Sequence, residues 1–188
     1  RWIRVTVYDP ETHKLYLGIG NQPQLVEYDI ATGEKRDLLP GKYDDITAIY
    51  DLNLVGGKLF ARKETNNPFE TFVLDAKTGE EIEITNADTG ETSYELINYS
   101  RGVSPKSPIS NVMYYAGAGG ELFEYDLDTD TIRSLGVSIE GAAIGYGFVE
   151  LDQEGFPGYS LVGMSGNSGK MFKYNLETKN VELTDIML

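Results

Sequence analysis

The stretch "LVEYDIATGEKRDLL", residues 25–39, decides the fold because the chain contains it more than once. Its first ten residues align without a gap with "TFVLDAKTGE" (71–80), "LFEYDLDTDT" (122–131) and "MFKYNLETKN" (171–180). Each copy is anchored on an acid or amide, Asp29, Asp75, Asp126 and Asn175, at spacings of 46, 51 and 49 residues. A threonine follows three residues later every time: Thr32, Thr78, Thr129 and Thr178. Shortly upstream of each copy lies a second apolar stretch, "KLYLGIG" (14–20), "KLFARKE" (58–64), "NVMYYAG" (111–117) and "YSLVGMS" (159–165). Such a period marks a repeat architecture, so the acids of residues 25–39 belong to a structural unit and not to a site.

Each unit alternates or runs apolar over short lengths, is rich in Tyr, Phe, Val, Ile and Leu, and is punctuated by Gly, Asn, Asp and Pro. That is the pattern of strands, and helical periodicity is absent. The first unit reads as strands near 3–8, 14–19, 24–30 and 35–39, with tight turns at "PETHK" and "DIATGEK". In the second turn the Asp side chain hydrogen-bonds the backbone two residues on, and Gly33 or Gly79 supplies a positive φ. Four antiparallel strands per unit, joined without helices, predict an all-β fold: a β-propeller, one domain over 1–188 with blades near 1–40, 41–85, 86–136 and 137–188. The irregular segment 85–110 lengthens the third unit; its inner strand is expected near 93–99, and Pro105 and Pro108 mark a loop.

A blade buries both faces against its neighbours, so four blades close as a ring of the hemopexin-like kind or belong to a larger propeller. The larger propeller is the favoured expectation, completed by a missing stretch of the same polypeptide or by a second copy of the chain. The start at Arg1 and the apolar end of "TDIML" suit an excised or continuing polypeptide. The repeats resemble blades of bacterial propellers, and "VLDAKTGEEI" (73–82) is similar to the hairpin of quinoprotein-type repeats. Those repeats carry a Trp shortly after the Thr-Gly pair; Glu81 to Ile84 holds none and Trp2 is the only Trp, so no quinone or other cofactor is expected.

Composition narrows the function. Lys plus Arg is 16 against 30 Asp plus Glu, a net charge of −14 spread along the chain. That field repels phosphate backbones and anionic lipid, which argues against nucleic acid or a membrane surface as partner. It tolerates cations, neutral sugars and basic protein surfaces. The absence of cysteine removes disulfides, thiol nucleophiles and thiolate metal sites.

Motifs that carry chemistry elsewhere read as structure here. "GNSGK" (166–170) lacks the first glycine of a phosphate loop, since position 164 is Met164, and Met171 replaces the Ser or Thr that should follow Lys170. A glycine-rich hairpin before a strand is expected. "DLDTD" (126–130) resembles the first half of a calcium loop, but the other copies place Ile-Ala-Thr, Ala-Lys-Thr and Leu-Glu-Thr in the same turn, so an acidic turn is expected and no metal site. His13, the only histidine, lies in a polar turn, which leaves acid–base work to carboxylates, Tyr, Lys and Arg. The triplet Asn98-Tyr99-Ser100 fits a glycosylation sequon.

Propellers bind at the rim formed by the connections between blades and the loops joining second and third strands. On that resemblance the candidate ligand-binding residues are Asn21 and Gln22, Tyr43 and Asp44, Arg62, Lys63, Asn66 and Asn67, and Asn167; "EGA" (140–142) also lies on this rim. Of these stretches "RKETNNP" (62–68) is the richest, two cations against an acidic background beside two amides. Tyr43, Tyr94, Tyr99 and Tyr146 lie near connections, where a tyrosine ring suits sugar stacking. The expected function is a non-catalytic recognition or scaffold module that binds carbohydrate or protein, exported to the exterior or surface of a bacterial cell. The alternatives are part of a polysaccharide lyase or glycosidase, and an assembly module that makes a ring by dimerisation.

Overall fold

A computed structural model describes residues 2–20, 24–39, 46–64, 70–99, 101–165 and 169–184. Among them are sixteen strands: β1 (Trp2–Asp9), β2 (Lys14–Gly20), β3 (Gln24–Asp29), β4 (Lys35–Asp37), β5 (Ile49–Val55), β6 (Lys58–Lys63), β7 (Thr71–Asp75), β8 (Ile84–Asn86), β9 (Thr92–Ser93), β10 (Val112–Ala116), β11 (Glu121–Asp126), β12 (Thr131–Ser138), β13 (Ala142–Gln153), β14 (Phe156–Ser165), β15 (Lys170–Asn175) and β16 (Val181–Thr184). The chain divides into two compact units, the first comprising residues up to Ile84 with Thr92–Asn98, the second Thr85–Glu91 with residues from Tyr99 onward.

In the first unit, β1 to β4 form an antiparallel meander, and β5 to β7 form a second sheet whose fourth strand shrinks to a single bridge, Leu74 to Glu81. The two sheets pack face to face. Tyr16, Leu25, Leu38 and Leu39 of the first meet Ile46, Ile49, Leu52, Leu59, Phe72 and Leu74 of the second in one buried cluster. Burial of that much apolar surface is the main force holding the unit together. Tyr16, inside this cluster, donates to the Ala76 carbonyl at 3.3 Å. Burial, reinforced by the Glu27 carboxylate, pushes its hydroxyl up to about 12, so it remains a donor.

In the second unit, β10 to β12 form one sheet and β13 to β16 another, a meander, with Val112, Tyr114, Leu122, Leu161, Phe172 and Tyr174 in a shared core. Here the third repeat departs from expectation. The segment paired with β10 is not 93–99 but 103–107: Val103 bridges Tyr115, and the Ser104 and Ser107 amides donate to the Tyr114 and Val112 carbonyls at 2.8 Å. Pro105 and Pro108 have no N–H to donate, which keeps this segment from being a regular strand. The Ser104 hydroxyl takes up the slack by accepting from the Tyr114 amide at 2.8 Å.

The recurring Asx-x-x-Thr motif is a single hydrogen-bonded device. Asp29 Oδ1 accepts from the amides of Ala31 and Thr32, both at 2.9 Å, and the Thr32 hydroxyl accepts from the Glu34 amide at 3.2 Å. The Thr32 amide bond is the first cause holding the Asp29 carboxyl below the usual range. Asp75, Asp126 and Asn175 accept from the equivalent amides. There is also a fifth copy, "NADTGE" (86–91), in which Asn86 accepts from Asp88 and Thr89 at 2.9 and 3.2 Å. It stands only eleven residues after Asp75 in sequence, outside the regular period. It follows β8, which pairs parallel to β12 with Thr85 opposite Thr131.

Candidate functional site

Of the rim residues chosen from the sequence, Asn21, Gln22, Tyr43, Asp44, Asn66, Asn67 and Asn167 lie outside the described residues. Arg62 and Lys63 are described, and they occupy the end of β6 and not the loop after it. Both are buried, at 7% and 5% exposure. Lys63 is neutralised by Glu95 at 2.9 Å and Glu70 at 3.3 Å.

Arg62 leads to a constellation that the loop-based reading passed over. Its guanidinium carbon lies 4.1 Å from the centroid of the Tyr50 ring, and that of Arg4 lies 4.7 Å from the same centroid. Arg4 also lies over the Trp2 ring at 5.4 Å. Trp2 and Arg4 come from the start of β1, Tyr50 from the start of β5 and Arg62 from the end of β6, so three strand ends of the first unit meet here. Trp2 pairs with Gly20, which precedes the expected rim stretch 21–24, and Arg62 opens the expected stretch 62–68. Gly20 is needed beneath the stack, since a Cβ there would lie 2.6 Å from the Trp2 ring.

Both guanidinium groups gain from the ring's negative face, and Arg62 does so in a desolvated setting where such contacts are strongest. Arg4 is exposed and, among the described residues, joins no carboxylate in an ion pair. Trp2 beside it is 38% exposed and offers an apolar ring edge or face to solvent. The sequence signal was available: the only tryptophan stands two residues from an arginine, on the same side of one strand.

The other sequence candidates fall into structure. Tyr99 is fully buried, which also hides the centre of the Asn98-Tyr99-Ser100 triplet. Tyr146 packs edge-on against Phe172, and burial raises its hydroxyl pKa. His13 adopts a positive φ of 56° in its turn and accepts or donates through Nδ1 to the Tyr8 hydroxyl at 2.8 Å. Asp126, Asp128 and Asp130 are engaged by turn amides, Asn111 and Tyr125 respectively. Among the described residues no three His, Asp or Glu side chains gather in a way that could hold a metal. The phosphate-loop alternative meets β15 immediately after Gly169, with no helix. Tyr94 is exposed and borders an open cleft of about 540 Å³ in the first unit, with Leu38, Leu39 and Leu74 as apolar lining and Glu80 and Glu81 as polar lining.

No protein-family profile matches the chain, and no curated protein does. Solved structures do match in fold. A europium-containing methanol dehydrogenase superposes with a TM-score of 0.66 at 13% identity over 97% of this chain and 41% of its own. U3-55K gives 0.64 at 10% identity over 96% and 51%. The WD40 β-propeller domain of Doa1 gives 0.55 at 13% identity over 97% and 54%. The chain thus spans about half the length of these structures. With sheets that follow the repeats of the sequence, it is an all-β chain of four β-propeller blades.

Proposed function

We propose that this chain is a non-catalytic recognition module whose rim binds a carboxylate-bearing carbohydrate, Arg4 supplying a local cation at hydrogen-bond range while the chain's net charge of −14, spread over its surface, is screened beyond about 8 Å at physiological salt. The observation that carries the reading is Arg4, exposed over Trp2 and Tyr50 and without a carboxylate partner among the described residues. A guanidinium recognises a carboxylate by paired, charge-assisted hydrogen bonds. An aromatic face beside it suits the apolar face of a sugar ring. Arg62, buried under the same Tyr50, fixes the ring on which Arg4 rests. Asn21, Gln22, Tyr43, Asp44, Asn66 and Asn67, which lie outside the described residues, are proposed from the sequence as further contacts.

Calorimetric titration with a uronate oligosaccharide and with its neutral methyl ester tests this. Binding of the acid form, weaker with rising salt, and loss of roughly tenfold to a hundredfold affinity in Arg4→Ala are expected from one charge-assisted pair. Equal binding of both sugars, or affinity unchanged in Arg4→Ala, would count against it. The convergence of two arginines on Tyr50 also fits a lyase, which would show itself as turnover of the acidic polymer in place of stable binding.

A further inference from the structure

The open cleft of the first unit is lined by two acids, one of which stands where the turn motif requires none. In the second repeat the residues after Thr78 and Gly79 are Glu80 and Glu81, and both border the cleft. At the position of Glu81 the first, third and fourth copies carry Lys35, Ile132 and Val181, and their turns form with the same hydrogen bonds. The doubled acid therefore needs a reason other than the turn. The rest of the lining is Leu38, Leu39 and Leu74, whose bodies are buried, and the exposed ring of Tyr94. At about 540 Å³ the cleft is of the size that holds a small ligand or one long side chain. All of these residues belong to the first unit.

The backbone that carries these side chains is fixed. The Glu80 carbonyl accepts from the Asp75 amide at 2.9 Å, its amide donates to the Thr78 hydroxyl at 3.2 Å, and Glu81 is bridged to Leu74. Beside Tyr94, the Glu95 carboxylate is held by the buried Lys63 at 2.9 Å, and the Glu95 amide donates to the Ser93 hydroxyl at 3.2 Å. A ligand entering here has little backbone left to order. The charged lining, among the described residues, is acidic throughout. The Arg36 guanidinium lies 3.9 Å from where a Cβ on Gly79 would stand, but it is engaged by Glu27 at 2.7 Å and by the Lys77 and Thr78 carbonyls at 3.1 Å. Carboxylates take an ammonium or guanidinium through charge-assisted hydrogen bonds, and the face of a tyrosine ring attracts the same cation. Buried leucines beneath keep water from one side, which strengthens both interactions.

We propose that the cleft bordered by Glu80, Glu81 and Tyr94 binds an organic cation, an ammonium or guanidinium carried on a short apolar stem. A free alkylamine and the lysine or arginine side chain of a partner protein present that same chemistry. The site shares no residue with the Arg4 surface and selects the opposite charge, so this proposal and the carbohydrate reading stand or fall separately.

Titration of the isotope-labelled chain, followed through its amide resonances, tests this with hexylammonium, with the tripeptide Gly-Lys-Gly blocked at both ends, and with 1-hexanol as the neutral control. Saturable shifts centred on Glu80, Glu81 and Tyr94 are expected with at least one of the two cations, at least about tenfold weaker with 1-hexanol, and weakening as salt rises. Tighter binding of hexylammonium points to a free amine as the source, and tighter binding of the tripeptide to a partner's side chain. Glu80→Gln combined with Glu81→Gln should lose about tenfold in affinity. Tyr94→Ala should lose about threefold and Tyr94→Phe should restore it, because the ring face and not the hydroxyl makes the contact. Glu80 and Tyr94 are exposed, so changing them removes no buried contact, and Arg4→Ala should leave the titration unchanged. No saturable shift with either cation, equal binding of 1-hexanol, shifts centred elsewhere, or affinity unmoved by the two glutamine substitutions would each overturn the proposal.

Discussion

Gly120→Ala is expected to destabilise the second unit by more than about 3 kcal/mol, seen as a collapse of the urea midpoint. Gly120 ends the tight turn between β10 and β11 with φ +84°, and a Cβ built there would lie 1.9 Å from the Ile139 carbonyl oxygen. That oxygen is backbone and cannot rotate aside, because the Ile139 amide donates to the Gly120 carbonyl at 2.9 Å and the Ala142 amide donates to Ile139 at 2.9 Å. The control lies one residue earlier. Gly119 has φ +82° but open space around its missing Cβ, so Gly119→Ala should cost only about 1 kcal/mol of backbone strain. A variant at Gly120 no worse than the one at Gly119 would show that the clash is relieved elsewhere.

Asn175→Asp should be nearly as damaging, at about 2–4 kcal/mol near neutral pH, although the other anchors show that an acid can hold this turn. The difference lies in the amide nitrogen. Asn175 is fully buried, and its Nδ2 donates to the Pro157 carbonyl at 2.7 Å and the Ser160 hydroxyl at 3.2 Å, while Oδ1 accepts from the Glu177 and Thr178 amides at 3.1 and 2.8 Å. A carboxylate keeps the accepting half but turns a donor towards Pro157 into a repelling oxygen. Burial raises the introduced acid's folded pKa above its unfolded value. The folded state then binds the proton more tightly, so the penalty is fully present above the folded pKa and shrinks as pH falls towards the unfolded value, near 4. Thermal unfolding of the variant and the parent should therefore converge on acidification. A gap independent of pH would mean that packing and not the missing donor sets the cost.

This substitution also shows how far the sequence could be read. The anchors Asp29, Asp75, Asp126 and Asn175 and their threonines announce the turn, because its hydrogen bonds are local and depend on residue types a few positions apart. The strands of the first blade, Trp2–Asp9, Lys14–Gly20, Gln24–Asp29 and Lys35–Asp37, follow their alternation closely for the same reason. The inner segment of the third blade was misplaced because two prolines break its pairing pattern, and Ser104 replaces a missing ladder bond that no periodicity records. The fifth turn at Asn86 keeps the full motif but falls outside the regular spacing, so the period does not reveal it.

The site was less legible than the fold. Sequence placed Arg62 and Lys63 at the rim but not in the interior, since burial comes from Tyr50, Glu70 and Glu95 arriving from other segments. The position of Arg4 is relational: it is defined only once β1 and β5 bring Trp2 and Tyr50 to either end of its reach.

Trp2 is the only tryptophan in the chain, so its fluorescence reports on the proposed site alone. Titrating the chain with an acidic oligosaccharide while following that emission tests the central claim most directly. The account predicts a saturable change with the uronate ligand, none with its neutral ester, and none with either in Arg4→Ala. An emission unmoved by the acid, or moved equally by both sugars, would contradict it.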